Sequence, residues 1–302
     1  MLDRFRKGLG RFTALFAGLA LASCATQTAQ TPATAAARPA LWALSDADTT
    51  IYLFGTIHAL PEGTQWRTPA LDAALDASEE LVTEIRLTDQ MAAAAAFARL
   101  GLGQGLPPAL ERVPEAKREE LRQAIEGLGL PMAAANRLKT WALAVTLVQV
   151  LFQRAGLNAE LGVERNLTAA FTARGRAMSG LETVEEQLGF FDALPEATQR
   201  VFLEGVLESP QQIRRDFDAM LHAWRTGNVR AIARTFNDDE TLAPELRETL
   251  LVRRNARWAE WLQHRLERPG TVFVAVGAGH LAGPDSVQEA LARRSLRARR
   301  VQ

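Results

Sequence analysis

Cysteine is nearly absent: the 302 residues hold one, Cys24. That excludes a disulfide framework and any zinc cluster built on cysteine. Histidine is almost as scarce, with four residues, at positions 58, 222, 264 and 280. Net charge is missing as well, since 35 Lys and Arg balance 35 Asp and Glu. A neutral chain gives no general electrostatic case for nucleic acid as a partner. No Gly-x-Ser-x-Gly string occurs, which argues against a serine nucleophile of the α/β-hydrolase kind. No repeat of fixed period is visible. What is there is 47% hydrophobic and 23% charged, an ordinary globular composition, in a chain long enough for one large domain or two small ones.

The N-terminus reads as an address. Arg4, Arg6, Lys7 and Arg11 precede an apolar run from Phe12 to Leu21, too short to span a bilayer but suited to a secretory signal. The run ends in Leu21-Ala22-Ser23-Cys24, which resembles a bacterial lipobox, where small residues precede a cysteine that is diacylated and becomes the new N-terminus. Two acyl chains anchor a protein stably. Ala25 follows, where inner-membrane retention signals typically carry Asp, so the expected location is the outer membrane, facing the periplasm. Residues 1–23 are then a signal peptide, 24–40 a disordered tether of Ala, Thr, Gln and Pro, and 41–302 the folded domain. Cleavage removes four of the basic residues and one acidic residue, Asp3, leaving a net charge of −3.

The folded part starts and ends with strands. Leu41–Leu44 and Ile51–Phe54 are apolar runs around a polar turn, Ser45–Asp48, and predict a hairpin. Pro69–Ser78 has helical spacing, and Glu80–Ile85 reads as a strand. From Asp89 to about Ala155 the pattern is helical, broken at Gly101–Gly103 and Pro107–Pro108. Within it Pro131–Arg154 predicts one buried helix, whose Arg137, Lys139 and Gln149 argue against a membrane span. Next come a helix over Glu164–Arg174, a short strand at Ala177–Leu181 and helices from Val184 to Glu267. Thr271–Val276 is a buried strand, Pro284–Arg293 a helix and Leu296–Val301 a weak final strand. The expected fold is one α/β (α+β) domain: a mixed sheet built from N- and C-terminal strands, with a large helical insertion.

Two of the four histidines share a local pattern. Gly55-Thr56-Ile57-His58 and Gly277-Ala278-Gly279-His280 each follow an apolar β-like run. Open α/β sheets hold ligands beyond the carboxyl ends of their strands, so both imidazoles are expected there. Glycine at a strand exit allows unusual backbone conformations or close approach of a ligand. Imidazole is both a transition-metal ligand and a general base near neutral pH. Glu84, at the end of a strand, offers a carboxylate oxygen, and two His with one carboxylate leave open positions on a metal. Glu182, in Gly180-Leu181-Glu182-Thr183, is a further ligand or base; its plainer reading is a helix N-terminus capped by Thr183. Gln187 falls one turn further along that helix. Arg253-Arg254-Asn255 and Arg257-Trp258 precede the last buried strand; Arg254 and Trp258 share a helix face, as do Arg253 and Arg257. Arg254 and Asn255 are candidates to orient a ligand or stabilise an oxyanion; the plainer reading is a solvated face around a core Trp258. His222 and His264 lack such a context and read as surface or packing residues.

In their order, Tyr52–His58, Leu81–Glu84, Gly180–Thr183 through Gln187, Arg254-Asn255 and Val276–Leu281 resemble the TraB/PrgY/GumN family, which includes the Tiki metalloproteases. The resemblance covers roughly residues 41–302. Gly162-Val163-Glu164 stands where relatives often show Gly-(Ile/Val)-Asp; Glu replaces Asp, and the position receives no role. The resemblance implies a mixed sheet with surrounding helices, as in the erythromycin-esterase and ChaN-like group. It implies a metal-dependent peptidase in which His58, Glu84 and His280 are metal ligands and a metal-activated water attacks the peptide bond. Glu182, Arg254 and Asn255 are the catalytic candidates, and the ion is manganese or cobalt, with zinc or iron as alternatives. The expected partners are a peptide or protein substrate in the envelope and, through Cys24, the membrane. Readings from other classes are a haem- or ligand-binding lipoprotein, a hydrolase of non-peptide substrates, and a non-catalytic accessory factor in envelope or polysaccharide assembly.

Overall fold

A computed structural model describes residues 37–86, 90–207, 210–237 and 244–302. Lipid attachment at Cys24 and the signal peptide fall outside these residues. Among the described residues six strands form one sheet: β1 (Leu41–Ser45), β2 (Thr49–Thr56), β3 (Glu80–Ile85), β4 (Ala177–Glu182), β5 (Gly270–Gly277) and β6 (Arg299–Arg300), in the order β4-β3-β5-β2-β1-β6. The expected hairpin is present, with β1 antiparallel to β2 and Leu44 opposite Ile51. β2, β3 and β4 run parallel to β5 or to each other, so β5 lies between β2 and β3 in the heart of the sheet. The N- and C-terminal strands therefore meet, as each requires for burial.

Alternate residues of the central strands feed two cores. Phe54, Leu81, Phe273 and Ala275 face the large helical insertion, with Trp141, Phe171 and Trp224. Ile51, Leu53, Val82, Val272, Val274 and Val276 face the helices Arg253–Leu266 and Val287–Arg293. Both faces of β5 are covered, which is why its sequence is an uninterrupted apolar run.

One predicted element is divided. Pro131–Arg154 forms two helices, Met132–Arg137 and Thr140–Arg154. The break is held by fully buried Arg112, whose guanidinium donates to the carbonyls of Asn136 (2.9 Å), Leu138 and Pro107 (2.9 Å). Lys139 N–H donates instead to Gly101 O at 2.7 Å. Apolar periodicity continues across the break, so the sequence carries no sign of it; the carbonyl acceptors are claimed by a residue far away. Among the described residues, no helix is long and apolar enough to cross a membrane.

Candidate functional site

All four parallel strands end at one edge, and each delivers a polar side chain there. β2 leads into His58, β3 carries Glu84, β4 ends in Glu182 and β5 leads through Gly277 to His280. Thr56 pairs with Gly277 in the register of β2 and β5, so the two Gly-x-x-His turns lie side by side. Neither Gly55 nor Gly277 has a positive φ. The glycines serve close approach rather than unusual backbone. A Cβ on Gly277 would lie 3.2 Å from Glu84 Oε1, 3.7 Å from His58 Nε2 and 3.7 Å from His280 Cδ2. Gly277 thus floors a small cradle shared by the three predicted ligands.

Glu84 is buried. Its Oε1 accepts the Gly277 N–H at 2.7 Å, and its Oε2 accepts from Arg254 Nη2 at 2.6 Å and from Gln187 Nε2 at 3.2 Å. Burial pushes its pKa up, but Arg254, helped by His280, His58 and the Gly277 N–H, brings it down to about 2. Glu84 is therefore a carboxylate at neutral pH.

Arg254 is wholly buried and fully engaged. Its Nε and Nη2 donate to Glu182 at 2.9–3.1 Å, its Nη1 to Leu250 O at 3.1 Å, and Nη1 lies 3.3 Å from His280 Nε2. The guanidinium also stands 4.7 Å from the Trp258 ring centre and 5.7 Å from that of Phe190. Burial disfavours its charge, and the two carboxylates more than restore it, raising its pKa. Glu182 is satisfied by Arg254, by Trp258 Nε1 at 3.1 Å and by Arg257 Nη2 at 3.2 Å. Burial raises the Glu182 pKa; Arg254 opposes this, and the nearby charge of Glu84 adds to it. The two glutamates thus shift in opposite directions although they share one guanidinium. Glu84 has the Gly277 N–H besides, whereas Glu182 bears the repulsion of its neighbour.

His280 is completely buried against Trp258, with ring centres 4.4 Å apart. Asn255 Nδ2 donates to Asp285 O at 2.7 Å, so Asn255 Oδ1, 2.6 Å from His280 Nδ1, is an acceptor and Nδ1 carries the proton. His280 Nε2 is then a lone-pair nitrogen, 3.7 Å from Glu84 Oε1. Burial, reinforced by Arg254, lowers its pKa to about 3 against the pull of Glu84, so the ring is neutral.

His58, Glu84, Glu182, Arg254, Asn255, His280 and Gln187 therefore come together. Among them, Arg254, Asn255 and Glu182 direct their described hydrogen bonds inside the protein, holding Glu84 and His280 in place. The helix Val184–Asp192 begins with Thr183 as its cap, in a reciprocal bond with Glu186, as the plainer reading of that segment requires. His222 and His264 are exposed on helices, away from this cluster. Glu164 is the residue that sequence reasoning passed over: its Oε1 lies 2.6 Å from His58 Nδ1 and accepts Thr56 Oγ1. Its signal was the segment Gly162-Val163-Glu164, visible but without an assigned partner. Among the described residues, no three His, Cys, Asp or Glu side chains stand ready as a metal cage.

An α/β sheet with a buried histidine–carboxylate–arginine cluster at its carboxyl edge defines the class. Residues 40–300 match the model of the TraB/PrgY/gumN family, and the chain belongs to that family. It is 23% identical over 269 residues to an uncharacterized protein of Treponema pallidum (strain Nichols), covering 84% of this chain and 80% of the relative. It is 26% identical over 185 residues to uncharacterized protein YbaP of Escherichia coli (strain K12) and of Shigella flexneri, covering 60% of this chain and 67% of each relative. No solved structure matches.

Proposed function

We propose that this protein is a metal-dependent hydrolase, most simply a peptidase, with its reaction centre in the cradle over Gly277. The observation that carries the reading is that cradle itself: His58 Nε2, Glu84 Oε1 and the His280 ring all lie within reach of one absent Cβ. The donor set suits a divalent ion, with two imidazoles and an ionised carboxylate. His280 Nε2 and Glu84 Oε1, 3.7 Å apart, are too distant for a hydrogen bond yet roughly as far apart as two ligands on one ion. Two buried carboxyl groups, Glu84 and Glu182, flank the fully buried Arg254 guanidinium, and a third, Glu164, is buried against His58, a surplus of carboxyl groups that favours a further cation. Were His280 to hold an ion, Arg254 would still be anchored by Glu182, Glu84 and Leu250 O.

His58, Glu84 and His280 would hold manganese or cobalt, with zinc or iron as alternatives. A bound ion supplies Lewis acidity and a water acidified enough to attack near neutral pH. The chain's own residues do the rest. Asn255 keeps His280 in the tautomer that presents Nε2, Arg254 and Gln187 hold Glu84, and Glu182 fixes Arg254. A peptide substrate in the bacterial envelope, with the protein tethered through Cys24, completes the proposal; the resemblance to Tiki-type proteases and the lipobox-like string support these parts.

Elemental analysis and a peptidase screen on the wild type, H58A, H280A and G277A test it. Near-stoichiometric divalent metal and hydrolysis are expected in the wild type, with both lost in the histidine variants. Gly277→Ala should also lose both, at a cost of about 1–3 kcal/mol in stability. A wild type that neither takes up a divalent ion nor hydrolyses peptides ends the proposal.

A further inference from the structure

We infer that Glu164 is a positioning residue that acts through His58, fixing its tautomer and aiming Nε2 at the Gly277 cradle. The inference deepens the hydrolase reading and rests on it for its purpose. A carboxylate only accepts hydrogen bonds, so at 2.6 Å Glu164 Oε1 requires the proton on His58 Nδ1. Nε2 is then on the cradle side of the ring, 3.7 Å from where a Cβ on Gly277 would stand.

The surroundings are built for this contact. The Thr56 hydroxyl donates to the same Oε1, so the carboxylate is held from the strand that leads to His58. The helix Val163–Ala173 starts on the histidine turn, with Val163 N–H donating to Ile57 O at 2.9 Å. At Gly162 a Cβ would fall 2.1 Å from His58 O, so no larger residue allows this approach. Leu60 and Asn158 exchange backbone hydrogen bonds of 3.1 and 3.0 Å just beyond. Residues 158–164 thus clasp the first Gly-x-x-His by backbone and side chain together. The arrangement parallels that of Asn255 on His280: one side-chain oxygen sits on each Nδ1, and each ring lies beside the cradle. A fold-stabilising ion pair alone needs neither that parallel nor a buried threonine on the same oxygen.

The test uses the full chain labelled with 15N in its four histidines, in chelator at about pH 8, where imidazole is neutral. Nitrogen–proton correlation spectra report each ring's tautomer without any metal or substrate. His58 should carry its proton on Nδ1 in the wild type and in E164Q, whose amide oxygen still accepts, and should lose that preference in E164A. Manganese or cobalt affinity, measured separately, should fall about 10–100-fold in E164A and less in E164Q. A wild-type His58 protonated on Nε2, or an E164A protein with unchanged His58 tautomer and affinity, overturns the inference. The wild-type spectrum decides even if E164A fails to fold. Absence of metal binding in the wild type counts against the hydrolase reading, while the tautomer result still judges Glu164 on its own.

Discussion

Arg254 shows how far the electrostatics of this site are balanced within the protein. It is wholly buried, and it sits between two carboxylates that would otherwise face each other at the sheet edge. A buried pair is weak evidence for net stability, but removing one partner leaves uncompensated charge and is costly. Arg254→Met keeps much of the volume and removes the charge. It is expected to lower stability by about 3–5 kcal/mol in urea unfolding. The charge-preserving Arg254→Lys should recover only part of that loss, since one ammonium cannot reproduce the fork that reaches Glu84 and Glu182 together. Equal stability of wild type and R254M would mean that the two glutamates are neutral in the folded protein, contrary to the lowered pKa of Glu84. The sequence showed Arg254 beside Trp258 on one helix face; that the face looks inward became visible only when β3 and β4 brought their carboxylates to it.

At the scale of elements, legibility followed the range of the forces involved. β1 to β5, whose alternation or apolar continuity is local, stand where their patterns put them, as do the Gly-x-x-His turns; the final strand, expected over Leu296–Val301, is only the exposed pair Arg299–Arg300 against Trp42 and Ala43 of β1. The break at Leu138 was not legible, because Arg112 and Gly101 capture the backbone groups from distant positions. Nor was the π-helical turn Glu248–Val252, which leads straight into the helix carrying Arg254 and Asn255. Such turns rotate the residues beyond them to a new facing and are frequent at functional sites. The short helix Val184–Asp192 ties local sequence to the site directly: its Thr183–Glu186 capping box starts the turn that carries Gln187 to Glu84. Thr183→Ala should cost about 1 kcal/mol. Hydrogen exchange should quicken in the first turn of that helix while β3 and β5 stay protected. Uniform acceleration across the sheet would show instead that the helix folds and unfolds with the whole domain.

Across the whole molecule, the parallel sheet converts four distant segments into one cluster, and the cluster makes folding sensitive to acid. His280 is held neutral: its pKa falls from 6.5 to about 3, with burial the leading cause. Between those values the unfolded chain binds a proton that the native protein refuses, so stability is lost as pH falls below 6.5. Glu84, lowered from 4.5 to about 2 by Arg254 against the opposing effect of burial, adds a second such proton below 4.5. Glu182 is raised above 4.5 by burial and so acts with the opposite sign just above that value, offsetting part of the slope. The difference between wild type and H280Q isolates the histidine. In chelator-treated protein, the wild type's stability relative to H280Q should shrink as pH is lowered from 6.5 toward 3, by up to about 1.4 kcal/mol per pH unit. Urea midpoints collected at half-unit intervals give that curve. A constant difference across the range would mean that His280 titrates alike in folded and unfolded chains, which a ring enclosed by Trp258, Asn255 and Arg254 does not allow.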